Sequence, residues 1–365
     1  MSYNSKKRAE SEKITTAFIP NGKDSVSALI RKSLFLLSVA AIVTFSVLII
    51  MNLQKDDEIS RSRELSVNSG IFGRITLDTS VSTPRETLSE PLETFPEYLS
   101  YYEHNDDMVG WVYIPNTGLS YAVYQAVDNE YYLHRNASRQ PAEHGAVFAD
   151  AAVPFGPGKK RPNNTVLYGH NYDRNGSAIG SIFATVTYYN PRGSRGDFYL
   201  SHPLLEFDTL YERGVYKIFA AAYFNTLDKH GEVYPYFTKR SFSNRLEFYD
   251  FAVNIMDRSE FITDADLRYG DEIITLSTCV DVLGGLDDEI RFVVFARRVR
   301  PDEEPEPNLE AYHHNPSVRY FDHWYNYRGG SWEGRGWDLN LVEGLEEFIE
   351  QNRDLPEVKK WLTNS

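Results

Sequence analysis

Hydrophobic positions along this chain change period several times, and each change marks an element. From Ser33 to Leu53 the sequence "SLFLLSVAAIVTFSVLIIMNL" is uncharged and nearly all apolar. At about 1.5 Å rise per residue, one helix of that length crosses a bilayer core of about 30 Å. The rhythm then disappears. Residues 54–92 scatter Ser, Thr, Glu and Arg, as a stalk does. "PEYLSYYEHND" predicts a short helix, and "GWVYIPNTGLSYAVYQ" alternates apolar and polar residues around a Pro-Asn-Thr-Gly turn, which predicts a hairpin. "NTVLYGHN", "VYKIFAAAYFN", "EIITLSTC" and "IRFVVFARRV" are further short runs of β-branched and aromatic residues between turns. One stretch differs. "SNRLEFYDFAVNIMDRS" puts Leu246, Tyr249, Ala252, Val253 and Met256 on one helical face behind Ser243 as the cap. Many short strands with one inserted helix predict a mainly β fold, a barrel or a sandwich.

After Arg300 the pattern breaks at "PDEEPEPNLE". The remainder to Ser365 is rich in Trp and Tyr and predicts an amphipathic helix carrying Leu341, Val342, Leu345, Phe348 and Ile349. The predicted organisation is a segment 1–32, a membrane-spanning helix 33–53, a stalk 54–92, a main domain 93–300 and a C-terminal extension 301–365. The extension's apolar face is expected to dock on its own barrel, away from the Cys279 groove.

Charge orients this plan. Lys6, Lys7, Arg8, Lys13, Lys23, Arg31 and Lys32 precede the apolar run, whereas Asp56, Asp57 and Glu58 soon follow it. A basic N-terminal flank places that end in the cytoplasm and everything after the run outside the cell membrane. A cleaved signal peptide is the rival reading; the run is long, starts late and lacks a clear small-x-small site. The net charge of −14 disfavours a nucleic-acid surface.

Candidate chemistry starts from the only cysteine in 365 residues, Cys279, at the end of an apolar strand among Ser277, Thr278 and Asp281. One thiol can build neither a disulfide framework nor a cysteine zinc site. A free Cys is often a small buried hydrophobe; a reactive one needs a partner that favours thiolate, most often His. His170 in "NTVLYGHN" is the candidate, since it too follows an apolar strand. His313 and His314 are adjacent, and there is no HExxH, so no catalytic metal or other cofactor is expected. Arg291 opens the next strand, where a guanidinium could donate to an oxyanion or simply pair with Asp287, Asp288 or Glu289.

Taken together, His170, Cys279 and Arg291 resemble a sortase. "TLSTC" fits the TLxTC nucleophile motif of that family, "LYGHN" its histidine motif and "IRFVVFA" its arginine strand, over roughly Tyr98 to Val299. "DNEYYLH" and the helix before the cysteine strand make the chain most similar to a class B sortase. The resemblance implies a closed sortase β-barrel with peripheral helices, with Cys279 as nucleophile, His170 as acid and base, and Arg291 as transition-state donor. Asp281 matches an acidic position of class B members, and Asn129, Leu133 and Ser277 match positions lining the sorting-signal groove. The loop "VDVLGGLDDEI" is slightly longer than the pattern, and the extension beyond Arg300 lies outside it.

The implied function is a cysteine transpeptidase. It would cleave a C-terminal sorting signal of surface proteins through a thioester. The acyl group would pass to an amine of a cell-wall precursor or a pilin lysine. A non-catalytic, membrane-tethered peptide-binding β-domain with a buried Cys279 is the alternative. A papain-like protease fits poorly, because that family places Cys before His.

Overall fold

Eight strands close into a barrel in the order β1-β2-β3-β4-β8-β9-β6-β5, with β5 pairing back onto β1. They are β1 (Met108–Tyr113), β2 (Ser120–Tyr124), β3 (Val147–Ala149), β4 (Asn164–Tyr168), β5 (Leu204–Thr209), β6 (Val215–Asn225), β8 (Ile273–Val280) and β9 (Ile290–Arg298). The structure, a computed structural model, describes residues 18–20, 22, 24–42, 44, 94–171, 182–283 and 289–363. The chain divides into two compact units, Met1–Leu65 and Ser66–Ser365, and the barrel belongs to the second. In the first, residues 26–42 form a helix. No helix among the described residues is long and apolar enough to cross a membrane. Residues 43 and 45–53 of the predicted span, and the stalk at 54–92, lie outside the described residues.

The predicted hairpin is β1 and β2, antiparallel, with Asn116 at φ 60° in the turn. An asparagine tolerates that left-handed conformation better than most residues, which suits this tight reversal. Two neighbouring pairs, β2 with β3 and β4 with β8, run parallel; the rest of the barrel is antiparallel.

Strand alternation sorts the barrel's two faces. On β8, Ile274 and Leu276 point inward to pack with Val294 and Ala296 of β9. Ile273 points outward with Val293 and Phe295. With a side-chain period of two, Thr275, Ser277 and Cys279 share that outer face, and so does Arg291 of β9.

Helix α1 (Pro96–His104) matches the expected short helix, and α2 (Ala184–Thr187) is a single turn. The long predicted helix is α3 (Arg245–Arg258), which packs Phe251, Ala252 and Ile255 against the outer face of the barrel. Its cap is Asn244 rather than Ser243. The Asn244 side chain accepts from the Glu247 amide at 3.0 Å, and the Glu247 carboxylate accepts from the Ser243 amide at 2.8 Å. The first contact satisfies an amide that the first helical turn leaves without a partner, and the second ties down the residue before the cap.

The C-terminal extension docks on the barrel, but as several short pieces. These are α4 (Asp322–Arg328), α5 (Leu345–Gln351) and α6 (Pro356–Thr363), with a 3-10 turn over Leu339–Leu341. Gly344, at φ 74°, turns the chain between Val342 and Leu345, and so divides the single helix that the spacing predicts. Strand β10 (His313–His314) adds a two-residue ladder to β7 (Phe261–Ile262). Val342, Leu345, Ile349, Val358 and Trp361 then bury in the same cluster as α3. Trp337 is buried there too, and its indole N–H donates to Asp257 Oδ1 at 2.8 Å. Arg335 Nε donates to the same carboxylate oxygen at 2.9 Å.

The extension is therefore part of the core, and a single truncation tests that. Trp337→Ala is expected to destabilise the protein by about 3–5 kcal/mol, the usual cost of emptying a buried aromatic site. Urea unfolding measures it; a loss of only a few tenths of a kcal/mol, as at a surface site, would show that the extension is merely draped over the barrel.

Candidate active site

The site forms where β4, β8 and β9 end side by side. Cys279 and Arg291 are direct cross-strand partners, one rung before the ladder ends at Val280 and Ile290. Opposed residues of an antiparallel pair project to the same face with Cβ atoms about 5 Å apart. The thiol and the guanidinium are thus neighbours by register alone. His170 arrives from the other side. β4 runs parallel to β8 with Tyr168 opposite Ser277, so His170 and Cys279 both lie two residues beyond that rung.

Hydrogen bonds continue the alignment past the strand. The Gly169 amide donates to the Ser277 carbonyl at 3.3 Å, and Thr278 Oγ1 donates to the Gly169 carbonyl at 2.7 Å. The buried Phe183 ring lies over Gly169, where a Cβ would come within 2.7 Å of it. The Phe183 amide also donates to the His170 carbonyl at 3.0 Å. Residue 169 is therefore glycine because a ring occupies the place of its side chain.

The imidazole is oriented by main chain. His170 Nε2 is 2.8 Å from the Leu133 carbonyl oxygen. A carbonyl only accepts, so Nε2 carries the proton and Nδ1 is the basic nitrogen of the neutral ring. That carbonyl is held by the turn containing "DNEYYLH". Gly145, at φ 59°, sits against the Tyr132 and Leu133 carbonyls, and Ala146 donates to the Tyr132 carbonyl at 2.9 Å. Burial, the largest cause, holds the His170 pKa below its ordinary 6.5. The neighbouring Arg291 guanidinium and the His134 and His144 rings act in the same direction, and the Leu133 contact opposes it.

Arg291 is mostly covered. Burial disfavours its charge, but the Cys279 sulfur and the Glu289 carboxylate more than offset this and hold its pKa above the ordinary value. Glu289 Oε2 accepts from Arg291 Nη2 at 2.8 Å. The surface pairing considered for this arginine and its position opposite Cys279 therefore coexist. Cys279 itself is half-buried.

The remaining expected residues are dispersed around this centre. Ser277, 2% exposed, bonds through its hydroxyl to the Tyr236 hydroxyl at 2.7 Å. Leu133 is half-buried and offers His170 its carbonyl. The Asn129 side chain donates to Asp150 Oδ2 at 3.1 Å and accepts from the Ala151 amide at 2.8 Å, so its amide group holds the loop beside the site. Asp281 is exposed just past the end of β8. Among the described residues there is no cluster of His, Cys, Asp and Glu that could hold a metal ion.

Several neighbours carried no recognisable sequence signal. Tyr236 is fully buried in a 3-10 turn (Tyr236–Thr238), and burial pushes its phenol up to about 12. Asp150 is a buried hub, accepting from Arg240 Nε at 3.0 Å, Tyr168 Oη at 3.0 Å and Asn129. It ties the loop before β3, the β4 strand and the turn before α3 together. Only Tyr168 was legible in principle, since it lies two positions before His170 and so on the same strand face.

The chain is 31% identical to sortase B of Listeria monocytogenes over 175 residues, which are 48% of this chain and 63% of that protein. It is 28% identical to sortase B of Staphylococcus aureus over 205 residues, 56% of this chain and 75% of that one. Over about half of its length, the chain is similar to sortase B of these two bacteria. Among solved structures it is similar to a Staphylococcus aureus sortase B-substrate complex, with 28% identity, coverage of 57% and 87%, and a TM-score of 0.46. It is also similar to a Bacillus anthracis protein described as similar to sortase B, with 27% identity, coverage of 68% and 96%, and a TM-score of 0.49. No protein-family model matches the chain. The match with the Listeria protein spans under two thirds of that protein's length.

The environment of His170 has a measurable sign. Its folded pKa lies below 6.5, so the unfolded chain takes up this proton first as pH falls. Its contribution to stability is complete above about 6.5 and is lost as pH drops through the lower folded value. An NMR titration of the His170 ring is expected to show a midpoint below 6.5. A midpoint at or above 6.5 would mean that burial does not dominate this site.

Proposed function

We propose that this chain is a cysteine transpeptidase that cleaves a sorting-signal peptide and transfers its acyl group to an amine. The observation that carries the reading is the pairing of half-buried Cys279 with Arg291 on adjacent strand ends, with His170 at the same level just past the end of the third strand. Sequence similarity to two sortase B proteins supports it. A non-catalytic peptide-binding domain would give no reason for this placement of the chain's one cysteine.

In the proposed reaction His170 accepts the Cys279 proton at Nδ1, and the thiolate attacks a backbone carbonyl carbon. A carbon–sulfur bond forms, and the carbonyl π pair moves to oxygen. Arg291 donates to that oxyanion; Glu289 engages one of its five N–H groups strongly, which leaves donors for the substrate. As the carbonyl reforms, the carbon–nitrogen bond breaks, and His170 returns its proton to the leaving amine. A thioester remains. The acceptor amine attacks it and gives a proton to His170, which restores the Cys279 thiol as the new amide forms.

The chemical classes of the partners follow from this scheme. One is an extended peptide from a surface protein, lying near Ser277, Leu133, Asn129 and Asp281. The other is a primary amine, from a cell-wall precursor or a pilin lysine. The apolar run 33–53 would tether the enzyme in the cell membrane with residues beyond it outside. Tethering raises the local concentration of partners that occupy the same surface.

Incubation with a pentapeptide library and a panel of amines, followed by mass spectrometry of new amides, tests the reading. Cys279→Ala is expected to remove all product while leaving the melting temperature nearly unchanged. Arg291→Lys is expected to lower kcat by about 10²–10³, since an ammonium cannot reproduce the guanidinium fork and an oxyanion donor is typically worth that much. Retained turnover in Cys279→Ala would reject the nucleophile and with it the proposal.

A further inference from the structure

The sortase-like motifs of the sequence end before Val299, yet the C-terminal extension touches the active-site edge. It was expected to dock away from the Cys279 groove. Instead, Arg328 at the end of α4 donates through Nη2 to the Val282 carbonyl at 2.7 Å, three residues after the cysteine. The physical reason is that β9 leads the chain away from the site, whereas the apolar face of α4 fits the end of the barrel from which the site opens. Phe321 buries in the barrel core with Leu283, and Trp324 and Val282 pack against the same cluster.

Aromatic contacts extend this seat to Arg291's own strand. Tyr320 and Trp324 stack with ring centroids 4.2 Å apart, and Trp324 lies 5.0 Å from the Tyr223 ring. Tyr223 meets Phe292 edge-on at 4.7 Å, and the two are cross-strand partners on β6 and β9. Phe292 is the residue next to Arg291. The Tyr223 hydroxyl accepts from Asn190 Nδ2 at 3.0 Å, and the Tyr320 hydroxyl donates to Glu260 Oε1 at 2.8 Å, which fixes both rings.

Among the described residues, the ladder between the two strands ends at the Val280–Ile290 rung. On the cysteine side, the described chain is held by Leu283 in the core and Arg328 on the Val282 carbonyl. On the arginine side, Thr226 Oγ1 donates to the Glu289 carbonyl at 2.8 Å. A terminal rung frays unless its continuation is restrained, and here the restraint on the cysteine strand comes partly from the extension.

We propose that α4 of the C-terminal extension is a positioning element for the active site, with Arg328 and Trp324 keeping Cys279 and Arg291 in register. The proposal rests on the transpeptidase reading for its importance but not for its test. Arg328 acts through the Val282 carbonyl and touches none of the reacting groups. Removing it lets the rung open, so Arg291 spends less time beside the sulfur and the thiolate loses its nearest positive charge.

The test uses the full chain and methyl methanethiosulfonate as probe, since the rate of Cys279 modification reads thiolate access without any substrate. Arg328→Ala is expected to slow modification about ten-fold at neutral pH, the effect of about one pKa unit at a thiol. Arg328→Lys, which keeps a cationic donor, is expected to recover most of the rate. Trp324→Leu is expected to slow it in the same direction by loosening α4 from Tyr223. Combining Arg328→Ala with Arg291→Ala is expected to add little to Arg291→Ala alone, because both act on one contact. Wild-type modification rates in folded Arg328→Ala, or full additivity in the double variant, would overturn the proposal. Failure of the wild-type chain to join any peptide to any amine would instead reject the transpeptidase reading, while the modification rates would still decide the role of α4.

Discussion

Everything at this site depends on strand register at the β4-β8-β9 edge. The antiparallel rung sets Cys279 against Arg291, and the parallel pairing sets His170 level with both. A slip of one residue on β9 would turn Arg291 into the barrel interior and put Phe292 beside the thiol. The cost of burying that cation opposes the slip, because the inner side around Phe292, Val294 and Ala296 is apolar and offers it no partner. The polarity of Arg291 against an otherwise apolar strand therefore specifies the chemistry at its end. The core and the site are one constraint viewed at two points along the same strands.

Around that edge, irregular segments are held by buried polar groups rather than by ladders. Asp150, 1% exposed, collects Arg240, Tyr168 and Asn129, which belong to three different parts of the chain. A carboxylate buried this deeply is tolerated only when fully paired, so the hub favours a single arrangement of the loops that meet there. The Leu133 carbonyl that orients His170 lies in one of those loops. Ser277 and Tyr236 make a second link, from β8 to the turn before α3. In this way the imidazole's direction depends on polar contacts several residues from it in sequence.

Much of this was legible in the residues themselves. The hairpin at Asn116, the strands ending in His170 and Cys279, the helix at 245–258 and the docking of the extension in cis all follow from period, turn chemistry and the cost of exposed apolar faces. What escaped was set by partners distant in sequence. The helix cap falls on Asn244 because Glu247 completes a reciprocal pair with the Ser243 amide, a choice between adjacent polar residues that hydrophobic spacing does not resolve. The predicted C-terminal helix divides at Gly344, where the chain takes a left-handed turn beside the Tyr249 hydroxyl. Asp150 and Tyr236 gave no signal, since one buried carboxylate and one buried phenol look ordinary until their partners are known. The approach of α4 to Val282 depends on how the extension wraps the barrel, which no local pattern encodes.

Glu289 links the register of this edge to its electrostatics. It adopts φ 49°, a left-handed conformation that costs a residue with a side chain about 1–2 kcal/mol relative to glycine. A glycine or asparagine would suit the backbone better, yet neither would bring a carboxylate to Arg291. An arginine that is mostly covered and faces a neutral thiol for part of a reaction cycle needs a counter-charge, because an unpaired buried cation is costly. Glu289 supplies it from the residue before β9 begins, with its own carbonyl tied to Thr226. In the proposed reaction negative charge moves from sulfur to oxygen and back within reach of one guanidinium. A carboxylate held in place on the far side keeps that guanidinium aimed through each stage, which is the electrostatic preorganisation that acyl transfer requires.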